Sequence, residues 1–179
     1  MTTKSKIVII EDDYRQFQIC RNSLQSTFDI LPVATTLREF NAIKSQLMQL
    51  LKQENENFKT LLSDYNGVSA FIVDYELKED SNKTGILFCE LTDCINKGTI
   101  PVFFLTKLSD ADPTNRIQNL PTTHSNIEYD YLRKPESWAD ESKTIDSIVN
   151  ECNTFNISMK EKINRLIQSS KNTDDYDLD

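Results

Sequence analysis

Glycine is almost missing from this chain: there are 3 in 179 residues, alongside 5 prolines. So few turn formers exclude loop-rich, collagen-like and low-complexity proteins. Histidine is nearly absent too. The one present, His124, sits in a polar stretch, and the four cysteines (Cys20, Cys89, Cys94, Cys152) lie within apolar-periodic segments. That supply makes no zinc ligand set and no disulfide framework, and the cysteines read as buried, reduced thiols. No apolar run approaches the roughly 20 residues of a membrane-spanning helix. The opening six residues are too short and too polar for a secretory signal. Basic charge is scarce as well, with 20 Lys and Arg against 28 Asp and Glu, a formal net charge of -8. No basic patch answers a phosphate backbone, so direct nucleic-acid binding is not expected. Together these absences describe a cytoplasmic protein without membrane insertion.

What is present is a series of short apolar runs alternating with helical periodicity. Hydrophobic residues make up 38% of the chain, enough for a core, and the length suits one decorated α/β domain. Lys6–Ile10 reads as a buried strand ending in Glu11-Asp12-Asp13. Residues 14–28 place Phe17, Cys20, Leu24 and Phe28 on one helical face. A carboxylate caps the start of such a helix, which accounts for one of the three acids and not for all of them. Ile30–Thr35 is a short, weak strand. Residues 37–66 are helical in pattern, as one long helix or two shorter ones interrupted at 53–57, and exceed what one strand crossover needs. Ala70–Asp74 is the central strand, residues 85–96 a helix, and Ile100–Leu105 a further buried strand ending at Thr106. Residues 109–128 contain Pro113 and Pro121 and carry no clear period. Tyr129–Arg133 is the fifth strand and leads into Lys134-Pro135. Residues 138–155 are helical, and Ser158-Met159-Lys160-Glu161 has the form of a capping box that opens another helix to about Ser169. Residues 172–179 form an acidic tail expected to be disordered. The expected organisation is a domain over 1–155, a helical extension over 156–171 and the tail.

Five strand–helix alternations imply a parallel sheet with helices on both faces, all strands ending at one edge. Ligands of such sheets bind at that edge. Glu11, Asp12, Asp13, Asp74, Thr106 and Lys134 would gather there. Carboxylates held together repel unless a cation joins them, and hard oxygen ligands suit Mg²⁺. In this reading Asp74 is a nucleophile that takes up a phosphoryl group, Lys134 supplies fixed positive charge, and the Thr106 hydroxyl donates to a phosphoryl oxygen.

These residues together resemble the receiver domain of two-component response regulators, the CheY-like superfamily. Glu11 and Asp12 match its acidic pair, Val73-Asp74 its phosphoacceptor, Phe104-Leu105-Thr106 its hydroxyl position, and Tyr131-Leu132-Arg133-Lys134-Pro135 its switch aromatic and Lys-Pro pair. The likeness spans about residues 6–148. It implies a flavodoxin-like (βα)5 doubly wound sheet in strand order 2-1-3-4-5, here with an extended second-helix region and a C-terminal helical extension. It further implies Mg²⁺ on Asp12, Asp74 and the backbone carbonyl of Glu76, with Glu11 acting through water or directly. Tyr131 would turn inward when Thr106 moves toward the phosphate. The implied partners are a sensor histidine kinase or phosphotransfer protein as donor and an unknown downstream protein as target. The implied role is a signalling module, not an enzyme.

The chain departs from the pattern at Lys78, at Lys107 and across residues 109–128. Lys107 and the irregular 109–128 region favour a second reading, a receiver-like protein-binding module that is never phosphorylated, while the intact acid set opposes it. A Mg²⁺-dependent phosphatase with an aspartyl nucleophile usually carries a second aspartate two residues on, where this chain has Glu76.

Overall fold

In the computed structural model, residues 3–52, 67–75, 100–107 and 129–173 are described. Five strands form one fully parallel sheet in the order β2-β1-β3-β4-β5. They are β1 (Lys6–Ile10), β2 (Asp29–Leu31), β3 (Val68–Asp74), β4 (Val102–Thr106) and β5 (Tyr129–Arg133). This is the flavodoxin-like order expected above. β4 is buried from end to end and β3 from Ala70 to Asp74, as strands covered on both faces must be. One face carries Ile7, Ile9, Ala70, Ile72, Phe103 and Leu105, which join the main core cluster. Val8, Ile10, Phe71, Val73, Val102 and Phe104 alternate with them and are buried as well.

Helix α1 (Tyr14–Leu24) starts where Asp13 caps it, its side chain accepting from the Gln16 amide at 3.1 Å. Asp13 is thus the one of the three acids that caps the helix. The helix ends at Leu24, four residues short of the expected end. Phe28 is nevertheless buried, held by a turn in which its N–H donates to the Leu24 carbonyl. β2 stops at Leu31 because Pro32 has no N–H to continue the ladder.

Helix α2 (Leu37–Lys52) opens with a capping box that the sequence analysis did not single out. Thr36 Oγ1 accepts from the Glu39 amide, and Glu39 Oε2 accepts from the amides of Thr35 and Thr36. These hydrogen bonds, the Thr35 amide foremost, hold the Glu39 carboxyl below its ordinary range. The remainder of the expected second-helix region (53–66), the expected helix at 85–96 and the segment 109–128 lie outside the described residues.

The C-terminal part corrects the expected helix boundaries. Residues 138–155 are not one helix. Glu136–Ala139 is a 3₁₀ turn that buries Trp138, α3 covers Ile145–Glu151, and α4 runs over Asn153–Thr173. Ser158 caps nothing, because it lies inside α4. Asn156, Met159, Ile163, Leu166 and Ile167 are buried at helical spacing, and that continuous stripe carries the helix through the would-be cap. The break lies at Cys152 instead, where the Asn156 side chain donates to the Val149 carbonyl at 2.8 Å. α4 therefore runs across the expected division at 155/156, and its inward residues share the core with β1 and β3. Ile163→Ala is expected to cost about 2–5 kcal/mol, as for other fully buried aliphatic side chains. Chemical denaturation reads this directly, and a change under 1 kcal/mol would show α4 to be an accessory to the core.

Arg15, near the start of α1, holds the segment between the 3₁₀ turn and α3. Its guanidinium donates to the carbonyls of Asp140 at 2.7 Å and Lys143 at 2.6 Å. Arg15→Ala strands both partly buried acceptors, an expected loss of about 1–3 kcal/mol. Amide exchange should accelerate across 138–152 and stay unchanged in β1 and β3. Uniform acceleration over the whole domain would contradict that assignment.

Candidate functional site

The parallel register brings the strand ends together. Ile10 pairs with Val73 and Asp74 with Leu105, so Glu11 emerges beside Asp74, and Thr106 lies one residue past it on the neighbouring strand. Thr106 pairs with Arg133, and the Lys134 amide donates to the Thr106 carbonyl at 2.7 Å. Four of the residues singled out in the sequence are thus delivered to one edge by backbone pairing alone.

Glu11, Asp12, Asp74, Thr106 and Lys134 are all buried. Lys134 lies at the centre. Its Nζ is 2.9 Å from Glu11 Oε2, 3.0 Å from Asp74 Oδ1 and 2.7 Å from Gln16 Oε1. The other Glu11 oxygen accepts the amides of Asp12 and Asp13, both at 3.1 Å, which folds the carboxylate back over the start of α1. Burial pushes the Glu11 carboxyl up to about 8, with the nearby Asp74 charge adding to the rise and Lys134 opposing it. Burial alone would lower the Lys134 ammonium. The charges of Glu11 and Asp74 outweigh it and hold Lys134 above its ordinary value. Burial also raises the thiol of Cys20, one turn beyond Gln16 on α1 and facing the same acids. Cys20 and Cys152 are both buried and unoxidised, and Cys89 and Cys94 lie outside the described residues.

One carboxylate oxygen from each of Glu11, Asp12 and Asp74 falls within 4.8 Å of the others. Opposite ligands of Mg²⁺ stand about 4.2 Å apart, given metal–oxygen distances of about 2.1 Å. Neighbouring ligands of an octahedral ion stand closer, about 3.0 Å apart, so at most one pair of the triad can be opposite and the oxygens must close by up to about 1.8 Å to share one ion. All three donors are hard oxygens, and Lys134 pairs with two of the three buried acids. Both facts fit a small divalent cation. Glu76, the expected carbonyl ligand, lies outside the described residues.

Tyr131 does not join the acid cluster. It sits half-buried on β5 opposite Phe104, three residues before Lys134. Lys107 is exposed at the mouth of the strand ends. Two participants escaped the sequence analysis. Gln16 is a polar residue in the inward stripe of α1, four positions before Cys20, and that interruption of an apolar face was its signal. Lys44, on α2, donates to the Asp12 carbonyl at 3.1 Å, and nothing in its surface-like sequence context marks it. A cleft of about 520 Å³ lined by Lys4, Lys6, Arg21 and Asp29 opens at the N-terminal ends of β1 and β2, the opposite end of the sheet from these acids.

No family model matches the sequence, and no curated protein matches it. Among solved structures, the chain is similar to a response regulator receiver protein from Sinorhizobium medicae WSM419. The two share 13% identity and a TM-score of 0.43, over 82% of this chain and 95% of that one. It is also similar to the phosphorylated cyanobacterial phytochrome response regulator RcpA, at 16% identity and a TM-score of 0.47, over 88% of this chain and 96% of that one. Among the described residues, no helix is long and apolar enough to cross a membrane.

Proposed function

We propose that this protein is a receiver-type phosphoacceptor module, with Asp74 as the residue that takes up the phosphoryl group. The observation that carries this reading is the buried cluster of Glu11, Asp12 and Asp74 with Lys134 between two of them. A structural strand-end aspartate needs no second and third carboxylate beside it. Such a cluster is costly to bury, and its cost is understandable where a cation and a phosphoryl group are handled.

In this role an Asp74 oxygen attacks the phosphorus of a phosphodonor, the new O–P bond forms, and the donor's bond to phosphorus breaks. Mg²⁺ held by Glu11, Asp12 and Asp74, with the Glu76 carbonyl as a further ligand, would neutralise charge on the transferring oxygens. Lys134 pairs with a phosphoryl oxygen, and the Thr106 hydroxyl donates to another. Tyr131 follows Thr106 as the switch residue. The donor is a sensor histidine kinase or phosphotransfer protein in the cytoplasm, and output passes through contacts with a downstream protein. The module is a signalling element and not a turnover enzyme.

Incubation with Mg²⁺ and acetyl phosphate should add one phosphoryl group that hydroxylamine removes, as an acyl phosphate requires. A stable, hydroxylamine-resistant phosphate would overturn the assignment.

One observation favours a second reading, a receiver-like binding module that is never phosphorylated. Lys134 already pairs with both Glu11 and Asp74, so part of the cluster's charge is met from within the chain. This reading predicts no phosphoryl gain from either a small donor or a kinase, and no dependence of partner binding on Mg²⁺.

A further inference from the structure

Gln16 is 4% exposed, on the inward face of α1, and its Oε1 makes the shortest of the three contacts to Lys134 Nζ, at 2.7 Å. An ammonium has three N–H donors, and Gln16, Glu11 and Asp74 supply three acceptors. Two of those acceptors are also members of the carboxylate triad. The same residues are therefore wanted twice, by Lys134 and by a divalent cation. Gln16 is the acceptor outside that competition: it is neutral and takes no part in the triad. An apolar residue there would leave a buried ammonium N–H without an acceptor. A fourth carboxylate would add repulsion.

We infer that Gln16 is a positioning residue. It retains the Lys134 ammonium when a divalent cation draws Glu11 away, and so keeps that charge in reach of a phosphoryl group on Asp74. This rests on the phosphoacceptor reading. The weight of the Gln16 hydrogen bond is greater in the cation-loaded state, where Lys134 has fewer other acceptors. Its removal consequently weakens cation binding.

The test is a double-mutant cycle on Mg²⁺ affinity, measured by titration calorimetry without phosphodonor on wild type, Gln16→Met, Lys134→Met and the double variant. Methionine keeps the volume of glutamine and removes the acceptor, and Gln16→Asn, one methylene short of reach, serves as a second variant. Gln16→Met is expected to weaken Mg²⁺ binding about tenfold when Lys134 is present, and to change nothing in the Lys134→Met background. Equal weakening in both backgrounds, or none in either, overturns the inference. A second readout does not need Lys134→Met to fold. The Lys134 NζH₃ resonance should persist in Mg²⁺-loaded wild type and vanish by exchange in Mg²⁺-loaded Gln16→Met, and its survival in the variant also overturns the inference. Wild-type protein that binds no Mg²⁺ overturns the phosphoacceptor reading and this inference together. Mg²⁺ binding with an uncoupled Gln16 overturns this inference alone.

Discussion

Lys134→Met is expected to destabilise the metal-free protein by about 3–5 kcal/mol, the cost of removing one partner from a buried ionic network. The substitution keeps most of the side-chain volume, so the loss is electrostatic. Glu11 and Asp74 lose the ammonium at 2.9 and 3.0 Å, and Asp12 adds a third carboxylate to the same buried cluster. For a chain of this length each kcal/mol lowers the melting temperature by about 2–4 °C, so a drop on the order of 10 °C is expected in EDTA. Millimolar Mg²⁺ should restore part of it, because a bound cation replaces the missing positive charge and stabilises the folded state by mass action. The variant should therefore gain more from Mg²⁺ than wild type does. Equal Mg²⁺ stabilisation of the two proteins would mean that Lys134 and the cation do not share the acids. Burial already pushes the Glu11 carboxyl up to about 8, so a loss under 1 kcal/mol would mean that its protonation absorbs the lost charge at negligible cost.

Asp12→Ala is expected to weaken Mg²⁺ binding by about 100-fold or more. Loss of one unit charge at ligand distance is worth several kcal/mol even at an effective dielectric constant near 20, and 2.7 kcal/mol is already a factor of about 100. Without Asp12, Glu11 and Asp74 still hold the Lys134 ammonium, at 2.9 and 3.0 Å. Removal of Asp12 thus takes away attraction for the cation without releasing the internal ammonium. Folding should be less affected, since fewer like charges remain in the cluster. Calorimetric titration of the two proteins side by side reads the effect. An unchanged affinity would remove Asp12 from the cation site and leave its burial without a functional account.

The two variants press on the same balance from opposite sides, which explains why the site is legible as chemistry and not only as geometry. β1, β3 and β4 each announce themselves as an apolar run that stops at a polar residue. Parallel pairing then does the rest, since Ile10 opposite Val73 and Asp74 opposite Leu105 put Glu11, Asp74 and Thr106 within neighbouring positions of one edge. The bounds of the fifth strand, Tyr129–Arg133, were readable from the residues, whereas the strand order 2-1-3-4-5 was implied only by the family resemblance, and the sheet has it.

What escaped the sequence has physical causes too. The expected cap at Ser158 is locally sound, but the buried stripe from Asn156 to Ile167 outweighs a capping hydrogen bond worth about 1 kcal/mol. The expected helix over 138–155 contains a real periodicity, yet Trp138 is buried from a 3₁₀ turn and only Ile145–Glu151 forms α3. Thr144 caps α3 by accepting from the Ser147 amide, and Arg15 fixes the intervening chain from another element, a contact across 125 residues that no local pattern contains. Gln16 was missed because glutamine on a helix is ordinary. Only its place within the inward face of α1, where Lys134 arrives from β5, gives it meaning. Lys44 shows the same limit: its contact with the Asp12 carbonyl depends on how α2 sits against the strand ends.

Asp74, in the proposed function, accepts a phosphoryl group at a cation-assisted site. The most direct measurement is native mass spectrometry of wild type and Asp74→Asn after incubation with Mg²⁺ and beryllium fluoride, a mimic of the phosphoryl group. Wild type is expected to carry one beryllofluoride adduct, with none when EDTA replaces Mg²⁺ and none on Asp74→Asn under any condition. An adduct of equal occupancy on Asp74→Asn would contradict that function, and so would an adduct on wild type that forms as readily without Mg²⁺.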